Sequence, residues 1–375
     1  MPLAPDLATE ARRQLTVCNA CRYCEGYCAT FAALERRPLF TEGDIAYIAN
    51  ICHDCRGCYQ ACMYAPPHEF AVDIPTLLSA VRAQTYRSYA WPRRAAALFD
   101  RPAVSSAMGA VFGLVFLGAV ALAAGPASRL VAADAAPGSF YRIIPFEVMV
   151  VAAGVLALYS LLAWTAGALR FARDAKVPLR SLADPREIWS VGREALTLRW
   201  MQGGGAGCYY PDEERASDGR RLLHALLVVG FLLANVSTAL ASLAQHYLEV
   251  LPPYPLTSAP VLFGIAGGIG MVVGTTGLLY LKVRASGRLI SKDMLRMDWA
   301  FLLVFDLVSI TGFLTLFFRE TALMSVMLLI HLTMLAALFV TVPYGKFSHV
   351  IYRLVALFQN RRELRAEADS VPAKA

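Results

Sequence analysis

The stretches CNACRYCEGYC (residues 18–28) and CHDCRGCYQAC (residues 52–62) hold eight of the chain's nine cysteines in two copies of one spacing. Cys18, Cys21, Cys24 and Cys28 read C-x2-C-x2-C-x3-C, and Cys52, Cys55, Cys58 and Cys62 repeat it. Three cysteines at two-residue gaps can wrap one face of an inorganic cube, while the fourth, set one residue further on, points away. Thiolates are soft ligands, and cysteines at these gaps are better placed for a metal than for disulfides.

Structural zinc is the rival reading. Zinc usually takes two C-x2-4-C pairs held apart by a longer segment, whereas two unbroken runs of four cysteines overfill that pattern. The spacing therefore predicts two [4Fe-4S] clusters. In two-cluster ferredoxins the fourth cysteine of each run ligates the other cube. By that crossed rule Cys18, Cys21, Cys24 and Cys62 hold one cluster, and Cys52, Cys55, Cys58 and Cys28 the other. Ala29 and Met63 stand where the bacterial pattern ends in proline, which changes no ligand.

Outward from the cysteines the character of the chain changes. Of its 375 residues 57% are hydrophobic and only 17% charged, with mean hydropathy +0.49, too apolar for an ordinary soluble domain. The first hundred residues, rich in cysteine and arginine, contain no long apolar run, so the chain divides into a soluble head and a membrane part. The opening MPLAPDLATEARRQL has no basic region followed by an apolar core and predicts no cleaved signal peptide, leaving the head in the cytoplasm. A net charge of +7 raises the question of nucleic acid, but no nucleic-acid motif accompanies it, and basic residues bordering apolar spans follow from membrane topology.

Residues 1–95 read as short helices and loops around the clusters, with Ile74 to Tyr89 a helix by its apolar spacing. Trp91-Pro92-Arg93-Arg94 suits the lipid headgroup layer. Six apolar segments follow in residues 96–350, at about 104–124, 147–169, 222–247, 259–283, 299–318 and 321–343, each near the ~20 residues that cross a bilayer. The last two are separated by Arg319-Glu320. All but three (Arg129, Arg142 and Arg319) of the 35 Lys and Arg fall on the side of the N-terminus. The positive-inside rule then places both termini, the loop 170–221 and the tail 351–375 in the cytoplasm, and the protein in the inner membrane. The fold class expected is all-α: a two-cluster ferredoxin-like head followed by a six-helix transmembrane bundle.

Four of the six histidines lie in or at the ends of two spans: His224 and His246 on the third, His331 and His349 on the sixth. Ionisable groups in lipid are costly and usually functional. At about 100° per residue both intervals, 22 and 18 residues, return close to the same helix face. If both helices are continuous, about 1.5 Å per residue separates the two members of each pair by roughly 30 Å, one near each leaflet. The third and sixth spans run in opposite directions, so His224 meets His349 on the cytoplasmic side and His246 meets His331 on the far side. Each pair can supply both axial ligands of a haem b, leaving its iron no open position and only electrons to carry.

The segment HLTMLAALFVTVPYGKFSH (331–349) resembles the ligand helix of the respiratory nitrate reductase γ subunit. More broadly, CNACRYCEGYC, CHDCRGCYQAC, YAPPHEFAVDIP (64–75) and GGGAGCYYPDE (203–213) resemble the tricarballylate-utilisation protein B family, also grouped as CitB, over nearly the whole chain. That resemblance implies Fe-S clusters and haem, a cytosolic flavin-dependent dehydrogenase as partner whose reduced flavin is reoxidised, and delivery of electrons to the membrane. The wider His224 to His246 interval departs from the nitrate reductase subunit.

Other residues invite smaller readings. Asp306, within the fifth span, either relays protons to a quinone or hydrogen-bonds a neighbouring helix. Lys346 and Tyr344, beside His349, could pair with haem propionates. His53 and His68 are surplus to two complete cysteine quartets, and Cys208 reads as a plain thiol. The glycine run 203–207 lacks the Lys-Ser/Thr of a P-loop and reads as a flexible contact surface for the head. Gly264, Gly267, Gly268 and Gly270 read as close helix packing. The reading is an electron-transfer subunit rather than a stand-alone enzyme, taking electrons from the dehydrogenase to membrane quinone. A redox-sensing regulator would need an output domain, and a transporter repeated halves or broken helices; neither is evident.

Overall fold

The computed structural model describes residues 3–205, 207–211 and 214–370. It is all-helical, with six helices long and apolar enough to cross a membrane, so the chain is a multi-pass membrane protein. In the head, α1 (Pro5–Cys21), α2 (Ala29–Glu35), α3 (Glu42–Ile51) and α4 (Ile74–Tyr89) surround one core. Local chemistry sets their starts. Thr41 and Asp44 form a reciprocal capping box at α3, and Asp73 caps α4 through the Thr76 N–H with Pro75 in the first turn.

The spans are α5 (Pro102–Ala124), α6 (Phe146–Asp174), α8 (Gly219–Leu248), α9 (Ala259–Arg284), α10 (Lys292–Phe317) and α11 (Met324–Thr341). Between α6 and α8 lies α7 (Pro185–Leu196), and the chain ends in α12 (His349–Ser370). Glycines let the third and fourth spans approach closely. A Cβ on Gly230 would lie 2.6 Å from the Gly267 carbonyl oxygen, and one on Gly274 2.7 Å from the Leu227 nitrogen, so backbone meets backbone there. Asp306 accepts hydrogen bonds from the Thr275 and Thr276 hydroxyls of α9, tying the fourth and fifth spans together.

Two features differ from the linear reading. The sixth span does not continue to His349: Pro343 has no N–H to extend the ladder, and Tyr344 and Gly345 turn back to bond the Thr341 carbonyl. A short 3-10 turn, Lys346–Ser348, then leads into α12, which begins at His349. The spacing of His331 and His349 along one helix therefore does not apply, since they stand on separate helices.

The second difference is that 351–370 is no loose tail. Tyr352, Val355, Ala356 and Leu357 of α12 are buried in the same core as Leu15, Ile45, Ile48 and Leu78 of the head. Phe171 at the end of α6 and Met294 and Met297 at the start of α10 join them. Tyr352 stacks on Tyr86 at 5.6 Å, and Arg36 and Arg37 pair with Glu363. Head, loop and C-terminal helix thus form one body at one end of the bundle, and two spans are rooted in it.

Candidate cluster cavities and histidine pair

The end of α1 places Cys18 and Cys21 on one turn. Arg22 then adopts a left-handed conformation and donates its N–H to the Cys18 carbonyl, swinging Cys24 back toward them. Cys28 is the extended N-cap of α2 and leaves in another direction. In the second run Cys52 ends α3, and left-handed residues at Asp54 and Arg56 curl the loop so that the Asp54 N–H points at the Cys52 sulfur, 3.4 Å away.

The consequence is two cavities, each with four cysteines in its wall. The outer one is lined by Cys18, Cys21, Cys24 and Cys62 with Tyr23 and Met63, and the inner one by Cys28, Cys52, Cys55 and Cys58 with Arg56 and Trp200. Phe31 stands between, facing both. The division is the crossed one. All nine cysteines are free thiols. Burial first, and then the neighbouring thiols Cys62, Cys24 and Cys21, push Cys18 up to about 12; burial, Cys62 and Cys21 do the same to Cys24. Four thiols crowded in this way become thiolates together only if a cationic centre binds them. Among the described residues no three His, Cys, Asp or Glu side chains converge as the ligands of a single ion do. Four thiols in the wall of each cavity are the donor set that a four-iron cluster would take.

The inner cavity is closed by the loop after α7. Tyr209 donates its N–H to the Cys55 carbonyl at 2.9 Å, and the Tyr210 ring lies 4.7 Å from the Arg56 guanidinium. The expected contact of this loop with the head is therefore made; Ala206, Asp212 and Glu213 of the motif lie outside the described residues. Cys208 is buried and bonds the Met201 carbonyl, as a plain thiol does.

Four arginines converge on the Cys52 turn. Arg82 donates to the Ala49 and Cys52 carbonyls, Arg353 to those of Asn50 and Cys52, and Arg220 to that of Asp54 at 2.6 Å. Buried Arg56 has no hydrogen-bond partner on any of its three guanidinium nitrogens. His53, in the same wall, is held neutral by burial and then by Arg353, Arg82 and Arg220. His68 is half-buried and takes the Phe70 N–H on its Nδ1.

Arg220 and Arg353 each sit one helical turn from a histidine. On α8 and α12 these are His224 and His349, whose ring centres lie 6.3 Å apart with planes at 80°. Two imidazoles about 2 Å from a shared metal, on opposite sides of it, have ring centres roughly 6 Å apart. The Nδ1–H of His349 donates to the Lys346 carbonyl at 2.7 Å, which leaves its Nε2 lone pair free. His224 Nδ1 is buried without a partner. His224 and His349 would be the residues to hold a haem iron between them.

The far-side pair does not form. His246 is exposed beside Tyr247, whereas His331 turns into α10, bonds Thr311 at 3.1 Å and packs over Gly312. Among the described residues no hydrogen bond or ring contact joins the two. Nor is Lys346 turned to a propionate: with Lys282 it pairs with the buried Asp298, while Tyr344 bonds Tyr159. The four arginines and Trp200 had no place in the sequence reading, although arginines four residues from His224 and His349 lay within its helical periodicity.

A ferredoxin-like head fused to a six-span bundle defines a membrane-bound iron-sulfur type of protein. Residues 11–88 match the family model described as the Citrate utilization protein B Fer4-like domain, and residues 100–370 that of Citrate utilization protein B. The chain is 39% identical over 351 residues, 93% of its length, to Citrate utilization protein B of Escherichia coli, of which 91% is covered. The chain belongs to the citrate utilization protein B family. No solved structure matches it.

Proposed function

We propose that the protein is the membrane-bound electron-transfer subunit that reoxidises a cytosolic flavin-dependent dehydrogenase acting on a tricarboxylate of the citrate or tricarballylate kind, with quinone as the final acceptor. The observation that carries this reading is the sorting of eight cysteines into two quartets around two cavities. Cys18, Cys21, Cys24 and Cys62 would hold one [4Fe-4S] cluster, Cys28, Cys52, Cys55 and Cys58 the other, and His224 and His349 one haem b. Bound there, these groups supply one-electron carriers in sequence between the head and the lipid. Residues of the chain fix their places. The Asp54 N–H bonds the Cys52 sulfur, the Lys346 carbonyl orients the His349 ring, and Arg220 and Arg353 tie the cysteine turn to the helices that bear the histidines.

The charge distribution supports a cytoplasmic head, because the three basic residues on the far side are few against those around the head and its loop. The test is a reduced-minus-oxidised visible spectrum of the purified protein, with iron, acid-labile sulfide and haem counted. Two clusters and a low-spin b-type haem are expected. A protein that binds zinc in place of iron and sulfide, or no haem, overturns the reading.

A further inference from the structure

The two cysteine quartets share a spacing but not an electrostatic setting. Among the described residues no arginine or lysine lines the outer cavity, whose walls besides the cysteines are apolar or aromatic, Val17, Tyr23, Phe31, Met63 and Val72 among them. The inner cavity has Arg56 in its wall, 1% exposed, in a left-handed conformation that turns its side chain inward, with no hydrogen bond to any guanidinium nitrogen. An isolated buried cation is strongly disfavoured, and Arg is almost never fully buried unless paired. Tyr210 offers its ring face and nothing more polar. Arg82, Arg220 and Arg353 spend their hydrogen bonds on backbone carbonyls of the same turn. Two buried carboxylates stand nearby: Asp298, matched by Lys282 and Lys346, and Asp54, in the wall of the inner cavity itself, against which the four guanidinium charges are in excess.

We propose that Arg56 is the counter-charge of the inner [4Fe-4S] cluster and, with Arg82, Arg220 and Arg353 behind it, holds that cluster's reduction potential above that of the outer one. This rests on the assignment of clusters to the two cavities. A cube held by four thiolates is anionic in both redox states and gains one further negative charge on reduction. Fixed cations beside it favour the reduced state, and at a site with Trp200 in its wall and Arg56 almost fully buried that effect is weakly screened. The arrangement sets a downhill order: the higher-potential centre is the one whose cysteine turn is clamped to the helices carrying His224 and His349. Arg56 is therefore a positioning and tuning residue and not a ligand.

The experiment is an EPR-monitored redox titration of the whole protein in detergent or nanodiscs, comparing wild type, Arg56→Gln and Arg56→Lys, with iron and sulfide counted in each. The wild type should show two midpoints. Arg56→Gln should lower the higher one by at least a tenfold change in the reduction equilibrium, about 59 mV for one electron, and leave the lower one in place. Arg56→Lys, which keeps the charge and changes the shape, should restore most of the difference. If Arg56→Gln loses half the iron, Arg56→Lys decides: two clusters with the wild-type order support the counter-charge, and loss of the inner cluster there as well overturns it. Unmoved midpoints in Arg56→Gln, or a shift confined to the lower one, also overturn it. A wild-type protein without iron and sulfide would instead defeat the cluster assignment itself.

Discussion

The outer and inner cysteine cavities are built from the same motif twice, yet the fold treats them differently. The outer quartet sits at the edge of the head under Tyr23 and Met63, both more than half exposed. The inner quartet is roofed by Trp200 and Tyr210, ringed by arginines, and braced against α8 and α12 through Arg220 and Arg353. Identical spacing fixes what each run can hold, while position in the fold decides what each is for. The outer cavity lies under exposed side chains, and the inner one is tied to the helices that bear His224 and His349.

The largest expected effect breaks that comparison from the inner side. Cys58→Ser should remove about half the iron, as one of two clusters is lost, and reduce electron delivery to the b haem to background while the outer cluster's EPR signal survives. Cys21→Ser should take the other half and block entry from the dehydrogenase, yet leave the haem reducible by a small chemical reductant. Next come the histidines. His224→Ala and His349→Ala should each abolish the low-spin b-type spectrum, and the double variant should add little, because ligands of one centre act as a unit. His246→Ala, at an exposed ring, should leave that spectrum intact. Loss of different bands in the two single variants would separate His224 from His349.

Packing gives a smaller, purely structural contrast. Gly230→Val drives a branched side chain into the α9 backbone and should cost about 1–3 kcal/mol by overpacking, read as a lower melting temperature in detergent. Gly154→Ala on α6, where a Cβ meets nothing within 4 Å, should be close to neutral in the same assay. Smaller again is Arg37→Ala, which removes the partly buried pairs with Glu363 and Asp44 and loosens α12 from the head. A loss of about 1 kcal/mol is expected, between an exposed and a buried ion pair.

Much of this layout was legible in the sequence, for reasons that are local. Long apolar runs fix six spans because a bilayer has one thickness, and the double cysteine spacing separates a head from them. The crossed quartets could be read because Cys28 and Cys62 stand one residue out of step with the three cysteines before them. What escaped is non-local. Arg353 and Cys52 are 301 residues apart, and no periodicity announces their bond. The arithmetic that set His331 and His349 on one face assumed a continuous helix, and the turn at Pro343 to Ser348 ends it. Residues 351–375 read as a tail because they follow the last apolar span, whereas Tyr352, Val355, Ala356 and Leu357 plug into a core supplied by distant elements.

The crossing of the two quartets is the claim on which the difference between the cavities depends. It is tested most directly by EPR and iron counts on four single variants: Cys21→Ser, Cys28→Ser, Cys55→Ser and Cys62→Ser. The cavities predict that Cys28→Ser perturbs the same cluster signal as Cys55→Ser, and Cys62→Ser the same signal as Cys21→Ser. If Cys28→Ser instead altered the signal that Cys21→Ser alters, each run would hold its own cluster and the division into an outer and an inner site would fail.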